Sequence, residues 1–485
     1  MSQDVGARID RASIGLRSER GPILLSVMLA TGLVAIDSTI LATAVPSVVR
    51  DLGGFSQFPW LFSVYLLAQA VTVPLYGKFA DLVGRKPMML LGISIFLAAS
   101  VLCGFAWSMT SLIVFRALQG LGAGAVLPMG QTIIGDVYSV AERAKVTGYV
   151  AGVWAASSVI GPTLGGVFSD YISWRWIFFV NIPIAIAAMW VLQRSFHEQV
   201  ERKRHRIDYA GAVLLALGAS LLILGLLEGG VAWDWGSATS VAVLAGAVAL
   251  LVAFGVVESR AAEPILPLWV FKERTLNGAN ATSLCVGVIL IGLTSYVPLY
   301  AQSVLGHGAV IAGFAVAALT LGWPIAASLS GRIYLRAGFR ACALFGTLFA
   351  IAGSAVLLGV DPGSSVWRIA FGCWVIGLGM GFIASPALIA AQQSADWQTR
   401  GVVTATNLFA RSLGSAVGVA VFGAIANAAV TSRVGGAHED LEHLPAGVLS
   451  PAIHDVFLAS SVVAVLVVLT VLVMPRDIST ETRTG

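Results

Sequence analysis

Two charged residues sit in stretches otherwise suited to hydrocarbon: Asp37 within "LVAIDSTILATAVPSVV" (residues 33–49) and Arg116 within "LIVFRALQGLGAG" (112–124). An ionisable group at bilayer depth costs at least about 2.5 kcal/mol, so such residues normally face a protein-lined space, pair with one another and carry out a task. A carboxylate there is a natural proton carrier, its charge set by the balance between burial and a neighbouring cation. Counting 1.5 Å per helical residue puts Asp37 about 22 Å in from a membrane edge near residue 22. Arg116, about six residues from the opposite edge near 110, comes out about 21 Å in from that first edge, so the two are level. Two roles are open to such a pair. Either Asp37 takes up a proton and Arg116 responds, or the two form a static ion pair that ties their helices together. Arg411 is a third deep charge without an obvious carboxylate partner; it either meets an anionic group in a cavity or hydrogen-bonds to backbone carbonyls. The carboxylates Asp136, Asp170, Glu228, Glu258, Asp361 and Asp396 all fall near segment ends.

The elements that must position these residues are membrane-spanning helices. With 57% hydrophobic and 11% charged residues, the 485-residue chain lies far outside soluble composition, where charged residues run near ~25%. About 20 mainly apolar residues cross the hydrocarbon, and that rule predicts fourteen spans: 21–46, 58–78, 87–107, 110–135, 146–169, 175–193, 208–228, 238–257, 276–304, 309–330, 341–360, 366–391, 401–429 and 455–474. Basic residues test the count independently. Of 29, Arg116 and Arg411 lie inside spans, while Arg50, Arg175, Arg368 and Arg433 fall on alternate loops or span ends, and the remaining 23 all fall on the other side. Such asymmetry predicts both termini in the cytoplasm. Arg8, Arg11, Arg17 and Arg20 precede an apolar run too long for a cleaved signal, so the first span is expected to be retained. The cluster "ERKRHR" (201–206) reads as a cytoplasmic loop, and "AHEDLEH" (437–443) as a solvated charge run more than a metal site. Cys103, Cys285, Cys342 and Cys373 are isolated within apolar segments, which suits buried small hydrophobes.

The chain also resembles itself. "RAKVTG" from Arg143 and "RGVVTA" from Arg400 are 257 residues apart, and Gly161 and Gly418 keep that spacing. "GLGAGAVLP" from Gly120 matches "GLGMGFIASP" from Gly377, and "GKFADLVGRK" from Gly77 has a weaker echo in "GRIYLRAGFR" from Gly331. Two related six-span halves follow, with two spans inserted between them. The expected organisation is a cytoplasmic tail at 1–20, an N-terminal bundle at 21–194, inserted helices at 208–257, a C-terminal bundle at 276–474 and a cytoplasmic tail at 475–485. Duplicated halves around a midplane cavity are the architecture of secondary transporters. In the second copy Leu335 replaces Asp81, Cys373 replaces Arg116 and Val419 replaces Pro162, so the charged chemistry is concentrated in the first half.

Between spans 2 and 3, "GKFADLVGRKP" (77–87) places Gly77 for close helix approach and Asp81, Gly84, Arg85 and Lys86 for a latch of charges at helix ends. This loop resembles the signature loop of the major facilitator superfamily. "LIVFRALQGLGAG" resembles its fourth-span motif through Arg116, Gln119 and Gly120. "GVWAASSVIGPTLGG" (152–166) resembles the fifth-span motif of its antiporters through Gly152, Gly161, Pro162, Gly165 and Gly166, and "AIDSTILATAVPSVVRDL" (35–52) resembles the first span of the fourteen-span drug:proton antiporters. The likeness covers nearly the whole chain. It implies an all-α polytopic fold of two six-helix bundles plus two extra helices, and a proton-driven exporter of hydrophobic or cationic drugs, or similar small amphipathic compounds, working by alternating access. Glycines at 161, 165 and 166 are expected to clear one helix face and Pro162 to bend it.

In that scheme Asp37 and Arg116 couple protons, the 77–86 loop gates, and Tyr65, Gln69, Gln119, Trp154, Tyr296, Tyr300, Trp323, Asn407 and Arg411 are candidates for the substrate cavity. The expected partners are a small-molecule substrate, protons and the lipid of a cell's inner (cytoplasmic) membrane, with no nucleic acid, cofactor or metal, and a monomer is expected. Export of an endogenous metabolite, lipid or siderophore is the alternative, and an importer stands behind it. No catalytic constellation supports an enzyme. The G-x-x-x-x-G-K-[ST] phosphate loop of an ATP-driven pump is absent, and the glycine runs lie inside apolar spans where no phosphate cradle forms.

Overall fold

In hydrocarbon every backbone N–H and C=O must be satisfied within the segment, so apolar runs of this length fold as helices. A computed structural model describes residues 15–53, 57, 60–198, 208–229, 233–261, 264–434 and 446–476. Its helices are α1 (Gly21–Leu52), α2 (Trp60–Val83), α3 (Arg85–Gly104), α4 (Met109–Val137), α5 (Val140–Tyr171), α6 (Trp176–Phe179), α7 (Asn181–Ser195), α8 (Tyr209–Glu228), α9 (Ala238–Glu258), α10 (Arg274–Leu299), α11 (Ala309–Ala337), α12 (Phe339–Leu358), α13 (Val366–Gln393), α14 (Arg400–Val434) and α15 (Ala446–Val473). Counting α6 and α7 as one crossing, fourteen among the described residues are long and apolar enough to span a membrane. The "ERKRHR" and "AHEDLEH" stretches lie outside the described residues.

Several helices outrun the expected spans. The last begins at Ala446, well before 455, and the first continues to Leu52. Hydropathy marks where the hydrocarbon begins; a helix stops where a cap or a glycine stops it. Two such stops are the repeat-related turns α2–α3 and α11–α12, where Gly84 and Gly338 adopt φ of 110° and 85°, a region that side chains with a Cβ rarely enter.

The two halves pack alike. On α4, a methyl group at Gly122 would lie 2.5 Å from the Phe96 amide and 2.7 Å from the Gly92 carbonyl on α3, while one at Gly124 would lie 2.8 Å from the Gln69 carbonyl on α2. On α13, a methyl at Gly379 would lie 2.7 Å from the Ala350 amide on α12, and one at Gly381 would lie 2.7 Å from Ala326 on α11. Each glycine run thus lets one central helix seat two neighbours at backbone distance. Helices α1–α7 form one bundle and α10–α15 the other; α8 and α9 pair with each other, and α8 leans on both α2 and α14.

The Tyr138 hydroxyl donates to the Arg20 carbonyl (3.2 Å) and Arg340 donates to the Met474 carbonyl (3.4 Å), so both ends of the described chain lie at one end of the molecule. Along α5 and α11 the bundles touch from that end to mid-depth. The Tyr334 hydroxyl donates to the Val140 carbonyl (2.5 Å), Gly331 faces Ala144, and Ser158 and Thr320 hydroxyls are 3.4 Å apart. Along α2 and α14, Gly77 faces Ala405 and the Gly401 carbonyl.

A Gly122→Val substitution is expected to cost about 2 kcal/mol through overpacking, read as a lower melting temperature of the purified protein in detergent. Gly152→Ala, where a methyl meets nothing within 4 Å, is expected to leave that temperature unchanged.

Candidate functional site

The site is built on α1 and α4. An α4 capping box between Ser108 and Ser111 sets that helix's start, with each side chain accepting from the other's backbone amide at 3.1 Å. Two turns on, Arg116 donates through Nη1 to Asp37 Oδ2 (2.6 Å) and to Gln119 Oε1 (2.6 Å), and through Nε to the Leu61 carbonyl (3.2 Å). Its guanidinium lies 4.1 Å from the centre of the Tyr65 ring. Gln119 Nε2 donates to Asp37 Oδ1 (2.8 Å), as does Asn181 Nδ2 (3.2 Å), and both amides also reach the Ser100 hydroxyl, at 2.6 and 3.1 Å. Asp37 and Arg116 are each 1% exposed and Gln119 is fully buried. Every Asp37 oxygen is therefore met by a donor in a dry setting, the arrangement that a buried charge pair requires.

The level placement of Asp37 and Arg116 thus becomes a contact. Gln119, expected in the substrate cavity, and Tyr65, likewise, belong instead to this ion-pair network. Ser100 and Asn181 were not foreseen; the signal available was a polar residue within each apolar run, "FLAASVL" and "FFVNIPI", which is common in membrane helices and not diagnostic alone.

The gating residues also converge, on the N-terminus of α14. Asp81 Oδ1 accepts from the Gly401 amide (2.9 Å) and Oδ2 from the Val402 amide (2.8 Å), so a carboxylate on α2 caps a helix of the other bundle. Arg85 pairs with Asp81 (3.1 Å) and with Asp136 on α4 (3.1 Å), donates to the Trp397 carbonyl, and stacks 3.9 Å from the centre of the Trp397 ring. Asp136 in turn pairs with Arg400. Glu198 accepts from the backbone amides of Arg85 and Lys86, both at 3.1 Å, and Lys86 Nζ donates to the Gln193 carbonyl (2.8 Å). Beside them Arg143 donates to the Gly135 carbonyl of its own bundle, while its bond to Gln392 Oε1 (3.4 Å) and that from Gln392 Nε2 to the Gln131 carbonyl (3.2 Å) cross between the bundles. From sequence Asp136 is only a carboxylate near a span end and Arg400 only the start of a repeated stretch, while Glu198 and Trp397 lie where charges and tryptophans are ordinary and give no signal. The corresponding α5–α11 contact is neutral, as Leu335 in place of Asp81 leads one to expect.

The other cavity candidates do not form one lining. Asn407 accepts from Ser283 (2.8 Å) and donates to the Ala279 carbonyl (3.1 Å), so it joins α14 to α10. Tyr300 is buried in the C-terminal bundle, its hydroxyl 3.4 Å from Ser450 and its ring 5.9 Å from Phe457. Gln69, Trp154 and Trp323 are half-buried. Tyr296 lines a cavity of about 200 Å³ with Ile291, Ser295, Leu299, Gly418, Val419 and Phe422. Arg411 is half-buried, and its guanidinium has no hydrogen-bond or ion-pair partner among the described residues. In the fifth-span motif, Gly161 packs on Thr39 of α1, whose hydroxyl donates to the Ser157 carbonyl (3.0 Å). Gly165 is buried, Pro162 lies within the continuous helix α5, and Gly152 and Gly166 face open space. A close approach at Gly161 seats α5 on α1. The four cysteines are free and buried, and no group of three or more metal-ligating side chains occurs among the described residues.

The sequence profile of the Major Facilitator Superfamily matches residues 27–419. The chain belongs to this superfamily. Among curated relatives of this Major Facilitator Superfamily member, it is 34% identical over 421 residues to "Multidrug resistance protein 3" of Bacillus subtilis, covering 87% of this chain and 82% of that one. It is 35% identical over 414 residues to "Multidrug transporter protein MdtP" of the same organism (85% and 76% covered). It is also 32% identical over 404 residues to "Efflux pump dotC" of Dothistroma septosporum (82% and 70%). A solved structure, that of the human organic anion transporter MFSD10 (TETRAN), superimposes with a TM-score of 0.66 over 93% of this chain and 99% of that one. At 15% identity that likeness speaks for the shared fold alone. The protein is thus a polytopic membrane transporter related to multidrug-efflux proteins, acting on a small organic solute.

Removing one partner of a buried pair strands the other. Arg116→Gln is expected to lower unfolding stability by about 3–5 kcal/mol, and adding Asp37→Asn to it is expected to recover a good part of that loss, measured by thermal unfolding of both variants. Asp81→Ala removes a helix cap and a buried charge partner, a loss of about 1–2 kcal/mol. A cysteine placed by Leu408→Cys is then expected to react severalfold faster with an impermeant maleimide than in the parent.

Proposed function

We propose that the protein is a proton-coupled antiporter that exports small hydrophobic or amphipathic compounds by alternating access. The observation that carries this reading is the Asp37–Arg116 pair: a carboxylate 1% exposed within a membrane-spanning helix, held at 2.6 Å by an arginine from another helix. The positive-inside pattern supports a cytoplasmic placement for the end bearing both termini. With the latch made at that end, the conformation corresponds to a transporter closed to the cytoplasm.

In the proposed cycle the proton arrives from the external side. Protonation cancels the Asp37 charge, leaving Arg116 to the Leu61 carbonyl, Gln119 and the Tyr65 ring. The tie between α1 and α4 weakens, which shifts the balance towards the state in which Asp81 releases the α14 N-terminus. Opening to the cytoplasm releases the proton and admits substrate; reforming the ion pair favours the outward state again. The gate is the set Gly77, Asp81, Gly84, Arg85 and Lys86, extended by Asp136, Glu198, Trp397 and Arg400. Export as the direction is supported by the printed names of the relatives, two of them multidrug proteins and one an efflux pump.

Inverted membrane vesicles containing the full chain test this reading. Addition of transported compounds from a panel including ethidium and fluorescein is expected to release protons from an acidified lumen, and Asp37→Asn to abolish that release while leaving substrate binding within about a factor of ten. Proton release that persists unchanged in Asp37→Asn overturns the assignment.

A further inference from the structure

The charges deep in the spans do not cancel. Asp37 is fully engaged by Arg116, Gln119 and Asn181, and it is 1% exposed. Nearer the far end, Asp455 of α15 has Arg433 of α14 at 3.8 Å. Arg411 remains, on α14, eleven residues into the helix and about 16 Å along it from Arg400. Its main chain is fixed: a methyl group at Gly287 of α10 would overlap the Arg411 carbonyl, and that carbonyl accepts from the Ser415 hydroxyl at 3.3 Å. Its guanidinium bonds to no backbone carbonyl and to no carboxylate among the described residues.

Helix phase gives its direction. Thr404, Arg411, Gly418 and Phe422 fall within one narrow stripe of α14 at 3.6 residues per turn. Thr404 meets Gln392 of α13, and Gly418 and Phe422 line the cavity shared with Ser295 and Tyr296. Ala405 faces α2, and Asn407 and Gly414 face α10. Gly418 packs on Val288 and Ile291 and Phe422 on Gly292 of α10, so the Arg411 stripe runs along the α10-facing side of α14 towards that cavity, and the residue keeps partial exposure.

A guanidinium does not shed its proton in a protein. An unpaired cation at this depth is expensive, and nothing on α2, α10, α13 or α14 neutralises it among the described residues. We infer that Arg411 is the charge-reading residue of the substrate site, and that the preferred substrates are amphipathic organic compounds carrying an acidic group, carboxylate, sulfonate or phosphate. About two turns further along α14 from Arg411, the cavity offers the apolar body of such a compound Ile291, Leu299, Val419 and Phe422, and its polar atoms Ser295 and Tyr296. This deepens the exporter reading and rests on it for the word substrate. It also reverses the preference for cations expected from the sequence, because Asp37, the carboxylate that would attract a cation, is already neutralised by Arg116.

A binding measurement, independent of proton coupling, tests the inference. The purified full chain in nanodiscs of zwitterionic lipid is titrated, by tryptophan quenching, with fluorescein at mildly alkaline pH, where it is an anion. It is titrated in parallel with rhodamine 6G, a cation on the same ring frame. The wild type is expected to prefer fluorescein. Arg411→Gln is expected to lower the ratio of fluorescein to rhodamine 6G affinity by about tenfold or more, and Arg411→Lys to retain part of the preference. A ratio unchanged by Arg411→Gln, or a wild type that does not bind fluorescein, overturns the inference. Loss of Arg411-dependent fluorescein binding when phosphatidylglycerol is included assigns the anion to a lipid headgroup and overturns the substrate assignment. A failed proton-release experiment with an intact affinity ratio would remove the coupling scheme and leave this recognition standing.

Discussion

The interaction on which the molecule depends is the compensation of one buried negative charge. An isolated carboxylate in a low-dielectric interior is worth tens of kcal/mol of lost solvation by Born arithmetic, roughly, before relaxation and pairing. Asp37 avoids that through Arg116 at 2.6 Å, Gln119 at 2.8 Å and Asn181 at 3.2 Å. These donors come from α4 and α7, so satisfying one side chain on α1 brings three helices into register. The pair is consequently both a structural tie and a sensitive one: any event that changes the charge of Asp37 alters the reason those helices sit where they do.

The same helices carry the second network. Arg116 and Asp136 share α4, twenty residues and about 30 Å apart, and Tyr65 and Asp81 share α2. Between them, α2 and α4 meet at Gly120 and Gly124, where backbone lies against backbone. Close-packed helices move as bodies and transmit small displacements along their length. This provides a physical route from the intramembrane charge to the latch at the α14 N-terminus without a long chain of individual contacts. The second half lacks the charged latch: its α5–α11 contact is made by Tyr334, Ala144 and Gly331 and by the Ser158 and Thr320 hydroxyls, so one seam carries an ionic latch and the other none.

Much of this was legible in the sequence. Fourteen crossings, a duplicated plan and the loop residues at a bundle end followed from run length, from the 257-residue offset and from the few charges that hydrocarbon tolerates. Helical rise alone put Asp37 level with Arg116. Less legible was partner choice. Asn181 and Ser100 are ordinary polar residues in apolar runs, and Trp397 and Glu198 sit in turns whose composition is unremarked, so their roles appear when distant segments meet. Of the aromatic cavity candidates, the fold buries Tyr65 and Tyr300 and puts Tyr296 on a cavity wall.

The sequence by itself therefore determined the number of helices, their depth in the bilayer and which of them carry charge, because hydrophobic length and the cost of a buried ion are properties of each segment alone. The tertiary structure decided which charges cancel. It paired Asp37 with Arg116, gave Asp81 to the α14 N-terminus and left the Arg411 guanidinium without a partner among the described residues. Pairing depends on helix rotation and neighbour order, which are set by packing between segments hundreds of residues apart, and no local pattern encodes them.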